Sequence, residues 1–240
     1  VSNLVHVASL FGVSENRARV ALSRMVAAGE AATYGDGRYQ LAGHLLERQH
    51  RQIESREGRS RPWRGEWHVV VVRSGAATAA QRMARSRAFR AARLASLREG
   101  TWARPDNIEL VLRPEVTGGV IVLQGRLLRT NSPEAALVRS LFELDRWSAR
   151  AEALSTEMTD LSIGGPEDLA AGFLLSAAVL RHLQADPLLP EELLPGDWPG
   201  RRLRTTYDKW DTTYRWVLAT WSRSPDGLNR RRDALAQPMV

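Results

Sequence analysis

Five side chains between residues 16 and 24 carry the most specific chemistry in the chain. Asn16, Arg17, Arg19, Ser23 and Arg24 are the types that meet nucleic acid: Arg and Asn make bidentate contacts to guanine and adenine edges, and Ser bonds either a base or a phosphate. At about 100° per residue, Asn16, Arg19, Val20 and Ser23 share one side of a helix, with Arg17 and Arg24 on its flank. Ala18, Leu22, Met25 and Gly29 stack on the opposite side, beside Ala21 and Val26. One side is built to read and the other to pack. The plain alternative is a solvated basic surface helix, and the surrounding segments argue against it.

Those segments are the elements that must hold the helix in place. Leu4, Val5, Ala8, Leu10 and Phe11 form a short apolar helix that ends at Gly12. Ser14 is its successor's N-cap, because its hydroxyl accepts the free amide hydrogens of the next turn. The second helix runs from Glu15 to about Ala28 and stops at Gly29, the residue type suited to a left-handed C-terminal position. Two β-type runs follow, Ala31–Tyr34 and Arg38–Leu41, joined by the hairpin signal Gly35-Asp36-Gly37. Helix, tight turn, helix and hairpin predict a winged helix-turn-helix over residues 1–45, with a further helix expected before Val1. Its second helix would enter the major groove, with Ser14 at the helix start and Arg38 and Tyr39 on the wing near the DNA backbone.

Charge distribution points the same way. The chain has 240 residues and a formal charge of +7. Residues 1–104 hold 18 arginines against 8 acidic residues, and residues 105–240 hold 16 basic against 19 acidic. A basic front and a mildly acidic rear suit a DNA-binding end joined to a regulatory or oligomerising end. With no cysteine there is no disulfide, thiolate metal site or cysteine nucleophile. No run of about 18 apolar residues spans a membrane and no signal-peptide pattern opens the chain, so a cytoplasmic protein is expected.

Behind the wing, residues 46–62 read as a linker helix, and residues 63–129 as a small α+β domain of ferredoxin-like type. Its expected elements are a buried strand at His68–Val72, a helix over Ala76–Arg98, and strands at Gly100–Pro105, Glu109–Leu112 and Gly119–Leu123. Arg82, Arg85, Arg87, Arg90 and Arg93 line that helix, either as phosphate contacts or as a solvated face. Residues 130–240 read as a helical domain: an amphipathic helix over Pro133–Met158, a buried helix over Asp168–Gln184, a proline-rich loop over Asp186–Gly200, a helix over Arg201–Trp221 and a mobile basic tail. The whole is α+β and multidomain. His44 and His50 lack convergent metal partners, so no metal and no cofactor are expected. No nucleophile elbow, P-loop, HExxH or dinucleotide fingerprint is present.

With these elements in order, the chain resembles the PaaX family of bacterial repressors. The helix-turn-helix with ARVALSRMVAAGE, the Trp63-x-Gly-Glu-Trp67 motif with the later LREGTWARPDNI, and DPLLPEELLPGDWPG carry the resemblance. It implies an N-terminal winged helix, a central domain like that of small CRISPR-associated endonucleases, a helical C-terminal domain, and dimeric repression of operator DNA relieved by an aryl-acyl-coenzyme A ligand. Arg90, Arg93, Trp102, Arg104, Arg181, His182 and Trp198 are the candidate ligand contacts, since guanidinium pairs with phosphate oxygens and tryptophan takes an aryl group. Leu141, Leu144 and Trp147 are candidate dimer contacts. A nuclease-like phosphodiesterase and an architectural DNA binder without ligand are the alternatives. The first needs a carboxylate where the strand through Val69–Val72 ends, and Arg73-Ser74-Gly75 stands there, so no catalytic residue is expected. Asp106 and Glu109 read as solvated loop and strand-edge carboxylates.

Overall fold

The computed structural model describes residues 2–35, 37–73 and 78–223. Asp36 of the wing turn, the strand exit at Ser74-Gly75, the start of the Arg-rich helix at Ala76 and the basic tail beyond Arg223 lie outside the described residues. In chain order the elements are α1 (Ser2–Ser9), α2 (Glu15–Ala27), β1 (Ala31–Thr33), β2 (Tyr39–Leu41), α3 (Gly43–Glu57), β3 (Glu66–Val72), α4 (Ala79–Ala91), β4 (Ala95–Arg98) and β5 (Thr101–Pro105). Then come α5 (Pro114–Thr117), β6 (Val120–Arg126), α6 (Glu134–Leu141), α7 (Leu144–Asp160), α8 (Leu169–Gln184) and α9 (Gly200–Arg223). They form two compact units: Val1–Ile53 with Ala153–Leu180 and Arg202–Val240, and Glu54–Glu152 with Arg181–Arg201. Both units draw on residues 130–240.

The first unit holds the helix-turn-helix and its hairpin. Val5, Ala18, Leu22 and Ala31 are buried beneath it. α2 closes with Gly29 at φ +70°, the left-handed conformation glycine adopts at no steric cost. β1 and β2 pair antiparallel from Ala31↔Leu41 to Thr33↔Tyr39, and Ala42 N–H donates to Glu30 O at 2.8 Å. Gly43 then starts α3 so close to the end of α2 that a Cβ there would lie 2.8 Å from the Gly29 carbonyl oxygen. In the same unit Tyr207, Trp210 and Tyr214 of α9 form a stacked ladder. Tyr214 Oη donates to Leu169 O at 3.2 Å, and Trp210 Nε1 donates to Leu161 O at 3.2 Å. α8 departs from the expected buried helix, because Phe173 and Leu174 are exposed.

The second unit is built on a four-stranded antiparallel sheet in the order β4-β5-β3-β6, with the chain running β-α-β-β-α-β through it. One face carries Val70, Phe89, Leu94, Trp102 and Val116. The other carries Trp67, Ala103, Val138, Leu144, Leu189 and Leu193. Three local expectations are corrected. The Arg-rich helix does not reach Arg98: it is capped at Thr78 by a reciprocal box with Gln81 and ends at Ala91, and Arg93 at φ +57° turns the chain into β4. Glu109–Leu112 forms no strand among the described residues; Leu110 and Leu112 pack against the core of the sheet, and the segment leads into α5. The helix expected over Pro133–Met158 is two helices, broken at Glu143 with φ +50°.

Candidate functional site

α2 sorts its residues as an amphipathic reading helix must. Ala18 and Leu22 are buried, while Asn16, Arg17, Arg19, Val20, Ser23 and Arg24 are exposed. Ser14 Oγ accepts the Arg17 N–H at 3.4 Å, which fixes the first turn and directs its amides forward. Arg19 forms an exposed ion pair with Glu15 at 2.7 Å, one helical turn back. On the wing Arg38 and Tyr39 are exposed, as is Tyr34, an aromatic that the sequence reading passed over. Tyr34 stands beside the hairpin turn, its N–H donating to Arg38 O at 2.8 Å. This end of the first unit therefore presents arginine, asparagine, serine and tyrosine outward on rigid elements.

The second unit contains a cleft of about 640 Å³ lined by four arginines, Arg90, Arg93, Arg146 and Arg150. Arg90 sits at the end of α4, its guanidinium 5.7 Å above the Trp102 ring. Arg93 donates from Nε to Asp186 O at 2.8 Å and from an Nη to Ser55 Oγ at 3.1 Å. Arg146 and Arg150 stand one turn apart on α7, and Arg146 meets Glu143 at 3.1 Å. Trp147 and His182 form part of the wall, stacked at 4.3 Å between ring centres. His182 Nε2–H donates to the Trp147 carbonyl at 3.0 Å, and Trp147 Nε1–H donates to the His182 carbonyl at 3.3 Å. Burial lowers the His182 pKa below its ordinary 6.5, partly offset by that backbone bond. The cleft's positive charge at neutral pH therefore comes from arginine.

Of the seven residues expected to hold a ligand, Arg90, Arg93 and His182 line this cleft. Arg181 is exposed but is not in the lining, and Trp198 lies behind Trp147, stacked on it at 4.5 Å. Trp102 and Arg104 are corrected. Trp102 is buried edge-on to Phe89 at 5.3 Å, in the core of the sheet. Arg104 is wholly buried, and its guanidinium donates to Arg93 O, Leu188 O, Pro105 O and Asn107 Oδ1 at 3.0–3.3 Å. Arg93 and Leu188 have φ of +57° and +48°, so Arg104 is a strut that holds two strained turns. Burial, with the nearby Arg93, pushes its pKa down to about 9, still charged at neutral pH. Arg146 and Arg150, which also line the cleft, were missed, although the four-residue step between them marks a basic helix face. Leu144 and Trp147 are buried inside the second unit, and Leu141 lines the cleft.

Asp106 is engaged by Arg61, by Gln124 Nε2 at 2.8 Å, and by His68 Nε2 at 3.6 Å. Among the described residues no group of three or more His, Cys, Asp or Glu converges as a metal site, and no helix is long and apolar enough to cross a membrane.

These features define an α+β protein with a helix-turn-helix at its front and an arginine-lined cleft in its sheet-bearing unit. Residues 143–220 match the family model for the PaaX-like protein C-terminal domain. The chain is also similar to the solved structure of the uncharacterized protein Rv0674 from Mycobacterium tuberculosis, at 38% identity over 92% of this chain and 90% of that one, with a TM-score of 0.74. No curated protein matches it. The chain belongs to the PaaX-like family.

Proposed function

We propose that the chain is a transcriptional regulator that reads operator DNA through α2, acts as a paired repressor, and is released by an aryl-acyl-coenzyme A type of effector. The observation that carries the first part is the exposed row Asn16, Arg19, Ser23 with Arg17 and Arg24 beside it, on a helix whose other side is buried. Family membership supports regulation. The arginine-lined cleft supports an anionic effector, because planar guanidinium forks pair bidentately with phosphate oxygens. Arg90, Arg93, Arg146 and Arg150 would meet the phosphates, and Trp147 with His182 would face the acyl group.

A lone helix-turn-helix contacts too few base pairs to single out one site in a genome, which is why a pair on a near-palindrome is expected. Titration of the protein–operator complex with phenylacetyl-CoA, free coenzyme A and phenylacetate tests the switch. Release by the thioester alone supports it, and a tenfold release corresponds to about 1.4 kcal/mol of coupling. Binding of DNA with no response to any acyl thioester would leave an architectural DNA binder and discard the effector.

A further inference from the structure

α3 follows the wing directly, one residue after β2. Its start is fixed to the end of the reading helix: Ala42 N–H donates to Glu30 O at 2.8 Å, and Gly43 stands hard against the Gly29 carbonyl. The helix then runs unbroken to Glu57, leaving the first unit after Ile53 and entering the second at Glu54. There its last turn is fastened. Ser55 is buried and accepts at Oγ from Arg93 Nη2 at 3.1 Å. Just past the helix, Arg61 N–H donates to Asn107 O at 2.8 Å. Arg93 is also one of the arginines that line the cleft. One guanidinium therefore serves both the cleft and the last turn of the helix that begins at the wing.

We infer that Arg93 couples the two: an effector phosphate in the cleft takes the Arg93 fork from Ser55 and frees the last turn of α3. The inference rests on the effector reading proposed above and adds the residue pair through which the cleft acts on the wing. The competition favours phosphate. Nε and Nη2 form one edge of the guanidinium, and they hold two neutral acceptors, Asp186 O and Ser55 Oγ, at 2.8 and 3.1 Å. A phosphate offers two charged oxygens at the spacing of that edge, the geometry a guanidinium fits best. Arg90, Arg146 and Arg150 add the positive charge that draws such an anion in. The backbone of Arg93 is held at φ +57°, its carbonyl accepting from Arg104 Nη1 at 3.3 Å, so the side chain is the part free to turn. A pair of reading helices meets two half-sites only while their spacing is fixed, and a loosened α3 therefore weakens operator binding. Linkage makes the effect reciprocal: whatever releases Ser55 also strengthens the cleft's hold on its anion.

The test compares the full chain with Ser55→Ala, using phenylacetyl-CoA as the probe and an operator duplex selected from a random pool. Calorimetry reads thioester affinity, hydrogen exchange reads the amides of residues 52–58, and titration reads operator affinity with and without the thioester. In the wild type the thioester should speed exchange across residues 52–58 and lower operator affinity at least about tenfold. Ser55→Ala should bind the thioester about threefold to tenfold more tightly, because Arg93 has lost a competing hydrogen bond. Its residues 52–58 should exchange fast already, and the thioester should lower its operator affinity by a correspondingly smaller factor. Tighter binding cannot come from a damaged fold, and a merely structural role for Ser55 would not produce it. Thioester binding that is unchanged or weaker in Ser55→Ala would overturn the inference while leaving the effector reading in place. So would exchange across residues 52–58 that the thioester leaves unaltered in the wild type. A wild type that binds no acyl thioester would overturn both.

Discussion

At the residue scale, arginine serves three different tasks, and its surroundings separate them. Arg19 is exposed and, among the described residues, is tied to Glu15 on its own helix. Such a pair contributes about 0.3–0.5 kcal/mol, less than the roughly 1–3 kcal/mol of a bidentate base contact, so DNA should displace Glu15. Arg19→Ala should therefore lose about 1–3 kcal/mol at the cognate site and relax preference at one base pair, read by titration against single-base operator variants. Arg104 is the opposite case. Arg104→Met removes the charged donor to the Arg93 carbonyl and to Asn107 Oδ1 and leaves Leu188 O with its bond from Asn107 Nδ2; it should cost about 3 kcal/mol, seen as a lower urea midpoint with the α2 face untouched. Nothing in the sequence announced this, because Leu188 lies 84 residues from Arg104 and only the fold brings it near. His182 in the cleft wall is held neutral by burial, between Asp186, which favours its charge, and Arg150, which opposes it. Its folded pKa lies below the unfolded 6.5, so the stability it contributes is complete above 6.5 and is lost as pH falls from there toward the folded value. Melting temperatures between about pH 7.5 and 5.5 should fall in the wild type and fall less in His182→Gln.

At the element scale, α8 offers a test in which two effects oppose each other. A glycine inside a helix costs about 1 kcal/mol relative to alanine, so Gly172→Ala should stabilise α8 if nothing stood against it. A Cβ at Gly172 would lie 2.8 and 2.9 Å from the Tyr214 ring and 3.0 Å from Ile163 Cδ1. Overpacking of this kind costs about 1–3 kcal/mol, and Tyr214 is tied through its hydroxyl to Leu169. The clash should win, giving a net loss on thermal melting, whereas a rise in melting temperature would show that α9 yields freely. The helix-turn-helix was legible in the sequence because its signals are local: Ser14 caps, Gly29 terminates, and period fixes the faces. The rear helices were legible as helices but not in their breaks. Glu143 and Arg93 adopt left-handed backbone without being glycine, held there by contacts that no local pattern encodes. β4 was lost for the same reason, since Ala95–Arg98 becomes a strand by pairing with β5. The cleft was half legible: Arg90, Arg93 and His182 were singled out, while Arg146 and Arg150 looked like the solvated side of an amphipathic helix.

At the scale of the whole molecule the chain carries a formal charge of +7, and Arg17, Arg19, Arg24 and Arg38 put positive charge on the helix-turn-helix itself. Binding that depends on this charge releases counterions, so affinity should fall by on the order of 10³ between about 50 and 200 mM salt for a pair of copies making several phosphate contacts. Sequence preference, which comes from base edges, should persist across that range. The most direct measurement is selection of duplexes from a random pool by the full chain, followed by titration of the enriched sequence with wild type and Arg19→Ala. If α2 reads base edges, the pool converges on a near-palindrome bound on the order of 10³ more tightly than its scrambled counterpart, and Arg19→Ala gives up about 1–3 kcal/mol of that preference. A pool that never converges, or an enriched site held equally well by Arg19→Ala, would contradict the assignment of α2 as the reading helix.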